Sequence, residues 1–375
     1  MSNQVCGGSR SSKVYRRIAC FALFIAAAAA SFNGFYDKYK FLETGVANPA
    51  TTYTFEAIVD GTAARPFVYR QLVPALANWI AARIDASLTV RTREWLYRGN
   101  NGRPVGQRFL DSPIAGNSRY LLRYCAMYGI VFAFTLISIY LIYLFLNEMG
   151  HPPPASALAA VGMILIMPFL LTGGGYYYDY PELAFMVLAV WMTLKCDWWW
   201  MVPVAALATW NKESFLLFVP ALYPLLRQRA SRRSAILGTG VLGLVCAGVY
   251  LVLRIRFEHN PGGAVEFHAA DQLRFILHLG ALFTSVEKTY GLLAPRAIYL
   301  AALVLIAWTA LRGWPRLSRR FKQHALVALA INVPLYFFFC EPLELRDLSM
   351  LYVTLIALLA ANLSEWVDLE YGKVN

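Results

Sequence analysis

Asn211, Lys212 and Glu213 stand between the apolar runs MVPVAALATW and FLLFVPALYPLL. A charge at bilayer depth costs about 2.5–3.5 kcal/mol on insertion scales, so charges in such a place need partners or water. Neighbours on a helix point about 100° apart, so Lys212 and Glu213 cannot simply neutralise each other. Lys212 suits an anionic group. Glu213 could orient Arg70 or Lys212, or act on a substrate; the bland alternative is a solvated hairpin tip. Asp179 and Glu182, in GGGYYYDYPELAF, are three residues apart and can share a helical face. Such a pair can bind a divalent cation or divide acid–base work, yet with Pro181 between them it also reads as an ordinary acidic helix start. CEPLELRDLSM offers Glu344 and Arg346 at the mouth of the last apolar run. Arg346 suits a phosphate, and Asp347 reads as a helix cap. Arg70, in RPFVYRQLVP, suits a phosphate at headgroup level or simply a lipid headgroup. Asp37, in NGFYDKYKFLE, is either a solvated boundary residue or a general base for an acceptor hydroxyl.

The elements that must position these residues are apolar helices. Of 375 residues, 58% are hydrophobic and 15% charged, and mean hydropathy is +0.48. Soluble domains carry about 25% charged residues, so this composition excludes an ordinary soluble enzyme. The net charge of +12 clusters between apolar runs and forms no nucleic-acid motif, so topology and anionic headgroups explain it better. The six cysteines and five histidines have no disulfide-framework or metal-ligand spacing.

A bilayer needs about 20 apolar residues as helix. Candidate spans run over 15–33, 120–146, 156–171, 183–194, 199–209, 215–226, 235–253, 292–311, 325–340 and 348–363. The expected fold is therefore an all-α polytopic membrane protein of about ten transmembrane helices, forming one integral membrane domain over 1–375. The first span is 15–33; its basic flank also resembles a signal peptide, but an uncleaved span is preferred. A long loop, 34–119, carries an interfacial helix over 66–84, where Val68, Leu72, Leu76 and Ile80 form an apolar stripe. The stretch RTREWLYRGNNGRPVGQRF reads as an exposed loop, and 120–364 forms a multi-span bundle.

With the basic N-terminus in the cytoplasm, a hairpin over 199–226 puts RQRASRR and RGWPRLSRRFK inside as well. Loop 34–119 and the clusters around Asp179, Lys212 and Glu344 then share the opposite, non-cytoplasmic face.

A first span leading to an acidic residue and a long outer loop, followed by unequal spans with polar clusters on one face, resembles the GT-C superfamily of polyprenyl-phosphate-sugar-dependent glycosyltransferases. RPFVYRQLVP, YYDYPELAF, WNKES and ELRDL, in that order, resemble a bacterial multipass branch associated with that superfamily. The resemblance implies a catalytic carboxylate in the first outer loop, at Asp37. It implies a polyprenyl-phosphate sugar as donor, an acceptor of unknown kind, and an active periplasmic face of a bacterial inner membrane. Arg70, Lys212 or Arg346 would hold the phosphate, with Asp179, Glu182, Glu213 and Glu344 completing the substrate site. The loop has no Asp-Glu or Asp-x-Asp pair, unlike many members, which leaves a divalent cation an open matter. The alternative functions are a transporter or flippase of a lipid-linked or anionic solute, and a non-catalytic scaffold subunit.

Overall fold

The computed structural model describes residues 10–42, 53–97, 114, 117–171, 175–263 and 265–371. Parts of the expected outer loop, including 98–113, and the glycines Gly173 and Gly174 lie outside them. In chain order the helices are α1 (Arg10–Tyr39), α2 (Phe55–Asp60), α3 (Leu72–Ala81), α4 (Ala86–Tyr97), α5 (Leu121–Glu148), α6 (Pro153–Leu170), α7 (Asp179–Lys195), α8 (Val202–Asn211), α9 (Ser214–Leu226), α10 (Arg232–Arg256), α11 (Ala269–Leu277), α12 (Ala281–Thr284), α13 (Ile298–Gly313), α14 (Arg319–Phe339) and α15 (Tyr352–Tyr371). One two-stranded antiparallel hairpin, β1 (Val286–Thr289) with β2 (Leu292–Pro295), lies between α12 and α13.

Among the described residues, five helical stretches are long and apolar enough to cross a membrane: Ile18–Tyr39, Leu121–Glu148, Pro153–Leu170, Arg232–Arg256 and Leu345–Val367. Four of the other expected spans are shorter or interrupted; the fifth, 325–340, lies in the 21-residue α14, whose polar residues Lys322, Gln323, His324 and Asn332 lower its hydropathy. At 1.5 Å per residue, α8 and α9 reach about 15 and 20 Å, well short of a hydrocarbon core of about 30 Å. The run expected to span 292–311 spends its first residues on β2, so its helix starts only at Ile298.

Local signals set several boundaries. Gly61, at φ 72°, closes α2 in the left-handed conformation that glycine adopts freely. Ser231 and Ser318 cap α10 and α14 by accepting from Ser234 N and Phe321 N. The expected helix over 66–84 is broken. A single 3-10 turn, Phe67–Tyr69, stops at Arg70, and α3 begins only at Leu72. Tertiary bonds cause the break. Tyr177 donates its hydroxyl to the Arg70 carbonyl at 2.9 Å, and Gln71 N–H donates to the Trp210 carbonyl at 3.1 Å. The buried face of α3 is Leu72, Val73, Pro74 and Ala77, packed on α5, while Leu76 is exposed. Of the expected four-residue stripe, Val68 and Leu72 are buried, Ile80 is half-buried and Leu76 is exposed, while Val73 and Ala77 join the buried face. Residues 86–97, in part expected as loop, are helical.

The bundle has two chemically distinct ends. At one, Lys195 pairs with Glu148 at 2.6 Å, Arg229 donates to the Leu194 carbonyl at 2.9 Å, and Arg316 pairs with Glu365 at 2.6 Å. The Arg229–Leu194 bond brings the chain after α9 back beside the end of α7, so α8 and α9 form a hairpin whose tip is Lys212. The basic segments RQRASRR and RGWPRLSRRFK both lie at this first end.

Close helix contacts depend on small residues. A Cβ added at Gly313 would sit 2.8 Å from the Leu358 carbonyl oxygen and 3.1 Å from Leu358 Cδ2, so α13 meets α15 there with no room for a side chain. Gly313→Val is expected to cost about 1–3 kcal/mol through overpacking. A lowered thermal midpoint of the detergent-solubilised protein checks this.

Candidate functional site

At the other end, four separate stretches of chain converge on one buried ion network. Helix α8 ends at Asn211, a single extended residue follows (Lys212, φ −157°, ψ 132°), and α9 starts at Ser214. This break turns the Lys212 ammonium towards the first turn of α7. There it lies 2.9 Å from Glu182 Oε2 and 3.1 Å from Asp347 Oδ1. Glu182 Oε1 accepts from Ser214 Oγ at 2.6 Å and from Ser349 Oγ at 2.7 Å. Every oxygen of this carboxylate is therefore engaged, and side-chain exposure is 5% for Lys212 and 4% for Glu182.

Arg346 and Asp347 enter on the 3-10 segment Leu345–Leu351 that precedes α15. The Arg346 guanidinium contacts Glu344 Oε1, Asp347 Oδ1 at 3.4 Å and Asp179 Oδ1 at 3.8 Å. Its Nη1 donates to the Tyr178 hydroxyl at 3.4 Å, and its carbon lies 4.4 Å from the Tyr176 ring centroid. Arg70 shares that tyrosine: it donates to the Tyr178 hydroxyl and makes a two-pronged contact with Glu213, Nη2 to Oε1 at 2.8 Å and Nε to Oε2 at 3.3 Å. The Tyr176 and Tyr178 rings stack 5.1 Å apart at 8°, and Phe67 stacks on Tyr176 at 5.8 Å. The two arginines are thus held on an aromatic wall, where cation–π attraction adds to the ion pairs.

The electrostatics follow from burial and pairing. Burial opposes charge on Arg70 and Lys212, yet Glu213 in the first case, and Glu182 with Asp347 in the second, hold both cations above their ordinary pKa. Burial alone would push the Glu213 carboxyl up, but Arg70 overrides it and holds the group below the usual carboxylate range. Glu344 goes the other way: burial pushes its carboxyl up in spite of Arg346. In all, three basic side chains (Arg70, Lys212, Arg346) face five carboxylates (Asp179, Glu182, Glu213, Glu344, Asp347). Arg346 Nε and Asp179 Oδ1 are buried with no hydrogen-bond partner among the described residues, which leaves a donor and an acceptor inside the network.

Seven of the eight residues singled out from the sequence belong to this network: Arg70, Asp179, Glu182, Lys212, Glu213, Glu344 and Arg346. Asp37 stands apart. Helix α1 runs on to Tyr39, so Asp37 occupies its last turn rather than the start of a loop. It is exposed and accepts from Asn33 Nδ2 at 2.9 Å. Next to it, Lys38 and Tyr39 both donate to the Leu171 carbonyl, on the segment leading to Tyr176.

Asp179 and Glu182 are turned to different partners. Asp179 Oδ2 accepts from Tyr176 N at 2.7 Å, and Glu182 is turned to Lys212 and the two serines. Among the described residues, no group of three His, Cys, Asp or Glu side chains is placed to hold a metal ion. Sequence reasoning missed Asp347, expected only as a cap, together with Ser214, Ser349 and the paired tyrosines. The signal for Asp347 was available, since it adjoins Arg346 beside an apolar run.

The chain matches no family model, no curated protein and no solved structure.

Proposed function

We propose that this protein is a membrane glycosyltransferase that moves a sugar from a polyprenyl-phosphate donor to an acceptor at the end bearing the ion network. The observation that carries the reading is the convergence of residues 70, 179–182, 212–214 and 344–349 in one buried, largely ionic site. Buried charges are costly to assemble, and such clusters are enriched at functional sites. The two basic loops at the opposite end support a non-cytoplasmic site by the positive-inside rule, hence a periplasmic face in a bacterial inner membrane. In this reading Arg346 and Arg70 attract the donor phosphate. Neutralising the phosphate makes it a competent leaving group without a strong general acid. The stacked tyrosines offer an aromatic face to the donor, and Asp37 takes the proton of the acceptor hydroxyl.

A second reading has its own support. All three cations already face carboxylates, as they would in a scaffold held together by ion pairs. The test is to incubate purified full-length protein with a panel of polyprenyl-phosphate sugars and acceptors and to follow donor loss. The expected result is turnover by wild type and a fall of at least about 100-fold in Asp37→Asn, with the thermal midpoint unchanged. Wild-type protein that binds these lipids and never cleaves them would sink the transferase reading in favour of the scaffold.

A further inference from the structure

Helices α6, α13 and α15 leave a lateral groove of about 640 Å³ between them. Near the end bearing the ion network its wall is apolar, with Phe169 and Ile298; towards the basic end it reaches Arg312 and Glu365. From Ile298 to Arg312, α13 rises about 21 Å, more than half the roughly 30 Å hydrocarbon core. The groove is therefore long enough for an extended hydrocarbon chain.

Its basic end is chemically specific. Arg312 Nη2 lies 3.2 Å and Arg316 Nη2 2.6 Å from the same Glu365 Oε2, so one carboxylate answers two guanidiniums. Arg319, Arg320 and Lys322 follow within the next turns of chain. Trp308 and Trp366 line this end and are more than half exposed, and the Arg312 guanidinium lies 5.6 Å from the Trp308 ring centroid. Exposed tryptophans beside arginines mark headgroup depth in a membrane protein.

We infer that this groove is a binding site for one anionic phospholipid, with an acyl chain along α13 and its phosphate on Arg312 and Arg316. Any apolar flank in a bilayer is covered by lipid, but covering alone selects no headgroup. Selection comes from the groove's basic end, where among the described residues two guanidiniums share the single Glu365 carboxylate. A guanidinium meets a phosphate through two parallel hydrogen bonds, and an anionic lipid adds net charge that a zwitterionic one cancels with its own cation. The groove's phosphate end lies at the opposite end of the bundle from the ion network, and the site does not depend on the transferase reading.

Native mass spectrometry of the full-length protein, titrated with phosphatidylglycerol or phosphatidylcholine, tests the inference. Phosphatidylglycerol is expected to be retained at least about fivefold better, because each arginine near an anionic headgroup contributes on that scale. Arg312→Gln with Arg316→Gln should abolish this preference while leaving phosphatidylcholine retention unchanged. Ala301→Trp, on the exposed groove wall, should lower retention of both lipids without touching the charge. Equal retention of the two lipids by wild type overturns the proposal, as does a preference that survives both glutamine substitutions. Tighter retention of a polyprenyl phosphate than of phosphatidylglycerol, lost with the same substitutions, would assign the groove to a different lipid.

Discussion

Arg346→Met is expected to be among the most destabilising single changes in this protein. The guanidinium is 6% exposed and stands against Glu344, Asp347 and Asp179 while donating to the Tyr178 hydroxyl. Methionine fills much of the same volume, so packing loss is small and the effect is electrostatic. Removing one partner of a buried ion pair costs about 3–5 kcal/mol because the other charge stays buried and uncompensated. Here three carboxylates lose a partner, so the loss should lie at the top of that range or beyond it. Arg346→Lys should recover only part, since an ammonium cannot spread its donors over several acceptors as a guanidinium does.

The deficit should also depend on pH. Burial already pushes the Glu344 carboxyl up in the wild type, and without Arg346 it must rise further. A carboxylate with a higher pKa in the folded than in the unfolded state contributes stability at low pH, which is lost as pH rises through the folded value. The gap in thermal midpoint between variant and wild type should therefore be wider at pH 8 than at pH 5. A gap that is absent, or that narrows as pH rises, would remove Arg346 from its role as the network's central counter-ion.

The members of the network were largely legible in the sequence because the membrane makes charge conspicuous. Lys212 between two apolar runs, or Arg346 beside the last one, must have a reason to be there. The pairings were not legible. Lys212 meets Glu182 and Asp347 across 30 and 135 residues, and no local rule connects them. The same holds for α3. Its stripe was read with a helical period, but the break at Arg70 is made by Tyr177 and Trp210, which lie far along the chain. Tertiary hydrogen bonds replaced helical ones, and beyond the break Val73 and Ala77 are buried while Leu76 is exposed.

The β-hairpin was hidden by composition. Leu292 and Leu293 are as apolar as the helix that follows, and the turn residues Tyr290 and Gly291, at φ 53° and 80°, carry only one glycine as a signal. The tip fits where α1 has Gly34: a Cβ there would be 3.0 Å from the Tyr290 ring, and Tyr290 donates to the Leu165 carbonyl at 3.0 Å. Of the ten expected spans, five are long and apolar enough to cross a membrane among the described residues. Apolar runs were legible, but the lengths of most of the others as helices depended on which residues the turns and the hairpin took, while α14 is long enough and carries too many polar residues.

Lys212→Met should show whether the network acts as a unit. This ammonium is the only cation paired with Glu182 among the described residues, and it also serves Asp347. Its removal should cost about 3–5 kcal/mol. Glu182→Gln is milder, because Lys212 keeps Asp347 and the amide can still accept from Ser214 and Ser349. The double variant removes the buried carboxylate together with its counter-ion, so its loss should fall short of the sum of the two single losses by about 0.5–3 kcal/mol. Thermal midpoints of the three variants in one detergent give that coupling. Strict additivity would mean that Lys212 and Glu182 are neighbours without mutual dependence. A coupling that large would mean that the Lys212–Glu182 pair holds the site together as one unit.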